Sequence, residues 1–139
     1  MTGVPDASLL ERLCAAAARF PEVVLVVLYG SRAGGTAHAA SDIDLAIRAH
    51  DAAPERKRQI EVEFLRTSVH PVDVLFLDEA PPQLRFEVAR AGSLVFERAA
   101  GLWIRERVRA MVDWWDWAPI ARRIHAAGVS RLRKEAGRW

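Results

Sequence analysis

Two aspartates with strand-like spacing are the residues best suited to chemistry in this sequence. Asp42 and Asp44 stand two positions apart in a short apolar segment, and alternate residues of a β-strand project from the same face. Two neighbouring carboxylates repel each other unless a cation lies between them. Oxygen ligands in this arrangement suit Mg²⁺ or Mn²⁺. The pair predicts a metal site, although on its own it is equally consistent with a solvated strand face.

A third aspartate interrupts another apolar segment. Asp73 lies within Val72–Leu77, where every other residue is apolar. A buried carboxylate is costly unless it is paired or bound to a metal. The alternative is an aspartate at the wet end of a strand, held by an arginine. If its strand lies beside that of Asp42 and Asp44, the three carboxylates converge and could hold two metal ions.

A glycine–serine pair follows the most apolar run of the chain. Gly30 and Ser31 come directly after residues 23–29. A strand that leads through glycine into a helix start lets backbone N–H groups approach a phosphate, and the serine hydroxyl adds a donor. Arg32 is either a bidentate phosphate ligand or an ordinary surface arginine. Glycine–serine turns are common, so this pattern gains weight only together with the aspartates.

The elements that must position these residues are short and alternate in type. Ser8 and Glu11 form a capping-box pattern that predicts a helix ending before Pro21. The predicted order is helix 8–20, strands 23–29 and 42–48, helix 54–68, strand 72–77, helix 83–91 and edge strand 94–97. This pattern predicts an α/β (α+β) fold with a small mixed sheet of three or four strands and helices mainly on one face.

The C-terminal segment is predicted to be helical. Residues 1–100 form the predicted core, and residues 101–139 a helical extension that packs on the core, on a partner, or on both. Pro119 is expected to break or kink this helix. The stripe predicted to dock on the sheet consists of Ile104, Val108, Met111 or Val112, and Trp115. Trp114 and Trp117 lie largely off that stripe, so we expect them to face a partner or a second small core.

Composition limits the class of protein. The chain has 139 residues and is 51% hydrophobic, which suits one folded domain. Cys14 is the only cysteine, so no internal disulfide can form. Nothing resembles a signal peptide or a membrane span, and we expect a cytoplasmic protein. Residues 119–139 contain six basic residues and one acidic residue, Glu135. Their net charge is +5, whereas that of the whole chain is +2. This asymmetry predicts a tail that is well solvated or meets an acidic partner.

The motifs taken together resemble a known superfamily. Gly30-Ser31, ten intervening residues and then Asp42-x-Asp44 are similar to the signature of the DNA polymerase β-type nucleotidyltransferases, and the chain's size resembles their minimal members, the MNT proteins. The resemblance runs from about residue 23 to 97 and implies a polymerase β-like fold. It also implies that Gly30 and Ser31 bind the phosphates of ATP, that Asp42 and Asp44 bind both Mg²⁺ (or Mn²⁺) ions, and that Asp73 binds the catalytic metal and helps deprotonate a hydroxyl.

Minimal nucleotidyltransferases of this size often act as antitoxins beside a helical HEPN-domain ribonuclease. The resemblance therefore implies AMP transfer from ATP to a tyrosine of such a toxin, in the manner of a type VII antitoxin. A small-molecule (aminoglycoside-type) nucleotidyltransferase and a catalytically silent antitoxin that neutralises by binding remain alternatives. Nucleic-acid extension is not expected, because it normally needs a longer chain. The acceptor, the nucleotide preference and the oligomeric state, including a homo-oligomer, stay open.

Overall fold

A computed structural model describes residues 7–30 and 42–136. In this part of the chain the helices are α1 (Ala7–Ala18), α2 (Pro54–Leu65), α3 (Pro82–Ala91) and α4 (Leu102–Ala136). The strands are β1 (Val23–Tyr29), β2 (Ile43–Ala49), β3 (Val72–Phe76) and β4 (Ser93–Glu97), and a short 3₁₀ turn covers Leu77–Glu79. None of these helices combines the length and apolar character needed to span a bilayer.

The strands form one mixed sheet in the order β3-β2-β1-β4. β1 is antiparallel to both β2 and β4, whereas β2 and β3 are parallel. Parallel neighbours need a crossover connection, and α2 lies in the connection between β2 and β3. The predicted mixed sheet is confirmed, with β4 at its edge as expected.

Helices cover both faces of the sheet. On one face, side chains of α1 and α2 such as Leu13 and Phe64 pack against Leu45. On the other, Val88 of α3 and Trp103 of α4 join a separate buried cluster. The expectation that helices lie mainly on one face was wrong. The apolar run of β1 faces both layers, as a strand buried on both sides should.

Ser8 and Pro119 both lie inside helices, whereas the sequence predicted a helix cap at Ser8 and a break or kink at Pro119. Ser8 lies inside α1 rather than capping it, and its hydroxyl accepts a hydrogen bond from Arg12 one turn later. Pro119 lies inside α4, which continues to Ala136. A proline removes one backbone hydrogen bond from a helix, and here the surrounding helix formers, including Ala118 and Ala121, carry the helix through it.

The face of α4 that docks on the domain is not the predicted one. Trp103, Glu106, Ala110 and Ala118 are its buried residues, whereas Ile104, Val108, Val112 and Trp115 are exposed. The expected docking stripe therefore points to solvent.

Inward contacts hold α4 in this rotation. The Arg48 guanidinium donates to both carboxylate oxygens of Glu106, at 2.7 and 3.1 Å, and Glu106 is only 6% exposed. The Trp114 ring stacks on Phe86 of α3, with ring centroids 5.2 Å apart. A buried charge is tolerated when it is paired and is costly when it is alone. Because Glu106 is paired with Arg48, it can lie on the buried side of α4, although a count of apolar residues predicts that this side is exposed.

Candidate active site

The candidate site is a row of side chains across three strands. Tyr29 at the end of β1 pairs in register with Asp44 of β2, and Asp44 lies beside Asp73 of β3. Residues paired directly across strands have their Cβ atoms about 5 Å apart and share a face. The sheet therefore brings the second and third predicted aspartates together next to a phenol.

Strand alternation assigns this row to the face covered by α3 and α4. Ala46 and Leu75, each two residues beyond an aspartate of the row, belong to the cluster on that face. Ile43 and Val72, each next to an aspartate, belong to the cluster on the opposite face. The predicted division is thus confirmed for Asp44, which lies on one face, and for Ile43, Leu45 and Ile47, which lie in the core on the other. Asp42 precedes β2, so its sharing a face with Asp44 stays a prediction.

Gly30 fits tightly against this row. Its φ is +76°, a left-handed conformation in which glycine has no steric penalty. A Cβ atom at this position would lie 2.3 Å from Oδ2 of Asp44. The backbone turn and the carboxylate can therefore approach one another only because residue 30 has no side chain. Ser31 and Arg32, the other predicted nucleotide ligands, lie outside the described residues.

The surroundings of Asp44 and Tyr29 disfavour the charged forms of these two side chains. Burial raises the pKa of the Asp44 carboxyl, and the neighbouring carboxylates of Asp73 and Asp42 raise it further. Burial, followed by the charges of Asp44 and Asp73, raises the pKa of Tyr29 to about 12. Asp42 and Asp73 are themselves exposed. A raised carboxyl pKa of this kind is expected where the backbone brings carboxylates close together.

The donor set fits a divalent cation that is shared with a substrate. Mg²⁺ is usually held by one or two carboxylates together with substrate phosphates, rather than by a cage of protein ligands. Asp44 and Asp73 supply an adjacent carboxylate pair, and Asp42 is close enough to influence Asp44 electrostatically. Within residues 7–30 and 42–136, no three His, Cys, Asp or Glu side chains form a metal-binding group. The three-aspartate metal site therefore stays a prediction.

Tyr29 is the residue at this site that sequence reasoning missed. It was counted as the last member of an apolar strand, and its place beside Asp44 depends on the β1–β2 register. One available indication was its position immediately before Gly30, because the residue preceding a phosphate-type turn ends beside the site that the turn serves.

The mixed sheet, with a carboxylate row beside a glycine turn, agrees with the resemblance to nucleotidyltransferases of the polymerase β type that the motifs indicated. The sequence matches the family described as polymerase beta nucleotidyltransferase over residues 11–100. The chain belongs to this family. No curated protein matches the sequence significantly.

Solved structures share this fold over most of the chain. One is a toxin–antitoxin complex with AMP-PNP, 20% identical, with a TM-score of 0.75 over 86% of this chain and 98% of the other. Another is a tri-AMPylated HEPN toxin of Shewanella oneidensis in complex with its MNT antitoxin, 16% identical, with a TM-score of 0.71 over 87% and 96% of the two chains. A third is the MntA–HepT toxin–antitoxin complex, 16% identical, with a TM-score of 0.70 over 87% and 97%.

Proposed function

We propose that this protein transfers AMP from ATP to a tyrosine hydroxyl of a cognate HEPN-domain ribonuclease, and thereby acts as its antitoxin. The observation that carries the proposal is the row of Asp44 and Asp73 beside Gly30, in a chain of the nucleotidyltransferase family. Its likeness to toxin–antitoxin structures, one with AMP-PNP and one with an AMPylated toxin, supports the choice of nucleotide and acceptor.

The proposed reaction is a substitution at the α-phosphorus of ATP. The acceptor oxygen forms a bond to this phosphorus, the bond to the oxygen that bridges to the β-phosphate breaks, and pyrophosphate leaves. Such transfers depend on positioning and charge neutralisation more than on covalent help from the protein. Bound Mg²⁺ would supply that neutralisation at the triphosphate.

The chain's own residues have distinct proposed parts. Gly30 and Ser31 cradle the phosphates, since the absence of a side chain at residue 30 leaves the backbone accessible. Asp42 and Asp44 hold the metal ions. Asp73, exposed at the outer end of the row, holds the catalytic metal and accepts the proton of the incoming hydroxyl.

Two labelled nucleotides test the reaction. The purified chain, Mg²⁺ and the protein encoded by the adjoining gene are incubated with ATP labelled at either the α- or the γ-phosphate. AMP transfer labels the partner from α-labelled ATP only. Label from γ-labelled ATP, or none from either with native proteins, would contradict the proposal.

Neutral substitutions separate chemistry from binding. Asp44→Asn should lower the transfer rate a thousandfold or more, about 4 kcal/mol of barrier, whereas Asp51→Asn, at an exposed aspartate beyond the far end of β2, should leave it unchanged. If Asp44→Asn still neutralises the ribonuclease in cells as well as the native chain does, neutralisation works by binding alone.

A further inference from the structure

Within residues 7–30 and 42–136, the outward side of α4 carries four large apolar side chains that the fold leaves exposed. Ile104, Val108, Val112 and Trp115 are 65%, 57%, 44% and 66% exposed. Their spacings of four, four and three residues place them along one side of a helix with 3.6 residues per turn. We call these four residues the outer stripe. It lies opposite the side of α4 that docks on the domain.

The outer stripe is as large as the largest apolar patch of a typical monomer, which is often a functional surface. Four large side chains at these exposures present on the order of 400 Å² of apolar surface along one side of the helix. Trp115 is among the most exposed of them, and tryptophan is enriched among residues that dominate binding energy.

Basic residues accompany the outer stripe. Arg105 and Arg109 flank it one helical turn apart, and both are exposed. Beyond Trp115, steps of 7 and 11 residues bring Arg122 and Arg133 onto the same side of the helix. Among the described residues, none of these four arginines forms an ion pair.

The charges favour one kind of occupant. A second copy docked through the same stripe would bring like-charged arginines together, which is unfavourable across an interface. A partner with an apolar centre and aspartates or glutamates around it would be complementary in both respects. Such a partner would add to α4 without displacing α3 or the sheet, because the inner side of the helix already contacts both.

We propose that the outer stripe and the arginines along it are the docking surface for an acceptor protein that presents an acid-rimmed apolar patch. The proposal rests on the proposed function and adds the surface that holds the acceptor. It makes the helical extension a recognition element that is separate from the row of aspartates where transfer takes place.

Charge introduced at the centre of the stripe tests this surface. Val108→Glu places a carboxylate in the apolar centre, and Arg122→Glu reverses a charge on its extension. Affinity for the protein encoded by the adjoining gene is measured by titration calorimetry, and AMP transfer is measured on the same samples. Each variant should raise the Kd at least tenfold and lower transfer at sub-saturating acceptor in proportion. Added salt should weaken native binding.

A matched substitution on another helix controls for a new surface charge. Val62→Glu changes a 39% exposed valine on α2, on the opposite face of the sheet, and should leave the Kd unchanged. Thermal melts of all variants show whether the fold is retained. Asp44→Asn should bind the partner like the native chain but fail to transfer AMP, which separates loss of docking from loss of chemistry.

The possible results are distinguishable. If Val108→Glu and Arg122→Glu bind like the native chain while Asp44→Asn abolishes transfer, the docking surface is wrong and the proposed function stands. If the isolated chain sediments as a dimer that Val108→Glu dissociates, the occupant is a second copy and the proposal is overturned. If the native chain neither binds nor labels the partner, both proposals fail.

Discussion

Replacing Asp44 with asparagine should stabilise the protein when no cation is present. The carboxyl of Asp44 has a raised pKa because of burial and of the charges on Asp73 and Asp42. At about 5 Å, roughly the separation of neighbouring strands, one carboxylate repels another by about 1 kcal/mol at the dielectric constant of water. The exposure of Asp42 and Asp73 screens these charges, so we expect a net gain of about 1 kcal/mol for the neutral variant.

The expected gain has a defined dependence on pH. Because the folded-state pKa of Asp44 is raised above the ordinary aspartate value of 3.8, the folded state binds this proton more tightly than the unfolded state does. The charge therefore destabilises the fold fully above the raised pKa, and the penalty shrinks as pH falls through it. The difference in Tm between Asp44→Asn and the native chain should be about 4 °C at pH 7 and should disappear below pH ~3.8.

Addition of Mg²⁺ and ATP should invert the order of stability. A ligand at a hundredfold excess over its Kd stabilises the native state by about 2.7 kcal/mol, which exceeds the repulsion relieved by asparagine. The variant lacks one of the ligands and should gain much less. Melts followed by tryptophan fluorescence, first with EDTA and then with Mg²⁺ and ATP, measure both effects, with Asp51→Asn as the control. The reasoning fails if Asp44→Asn is less stable than the native chain in EDTA, or if both gain equally from Mg²⁺ and ATP.

The remaining predictions concern the turn, the buried ion pair and the phenol. Gly30→Ala should cost about 1–3 kcal/mol of stability and most of the activity. Gly101→Ala should cost less, because Gly101 also has a positive φ but a Cβ atom added there meets nothing within 4 Å. Equal losses of stability in urea melts would exclude the steric explanation. Glu106→Ala should destabilise by about 1–3 kcal/mol because it leaves the partly buried Arg48 unpaired. Replacing both residues with apolar ones should cost less, and equal losses for the single and the double change would contradict this. Tyr29, the only tyrosine, should remain un-ionised at pH 11 in a rapid pH jump followed by absorbance, since its pKa is about 12.

The candidate site could be predicted from the sequence because its aspartates are chemically conspicuous. Asp42, Asp44 and Asp73 interrupt apolar strands, and two-residue alternation is enough to assign a face to each. Alternation cannot say which strands are neighbours. That Asp73 lies beside Asp44 follows from the parallel pairing of β2 and β3, and that Tyr29 joins them follows from the register of β1.

The sequence patterns that mark helix starts and ends were less reliable than those that predicted the strands. Ser8 matched a capping box but lies within α1, so the pattern correctly indicated a helix and misplaced its start. Pro119 was expected to break or kink the helix. The break does not occur, since the helix continues for 17 further residues, to Ala136. The capping pattern and the proline each report only the local free energy of a helix start or a helix break. The helical preference and packing of the neighbouring turns outweigh that local free energy.

The reversed orientation of α4 shows why periodicity alone could not identify its docking face. The helix has two apolar sides: one contains Trp103, Ala110 and Trp114, and the other is the outer stripe. A count of apolar residues prefers the outer stripe, because the inner side includes Glu106. The inner side nevertheless packs on the domain, since Arg48 of β2 neutralises that glutamate, and such a partner is visible only in three dimensions. The same reversal makes this surface a candidate binding site, since the more apolar side of the helix is exposed to solvent and a partner could bury it.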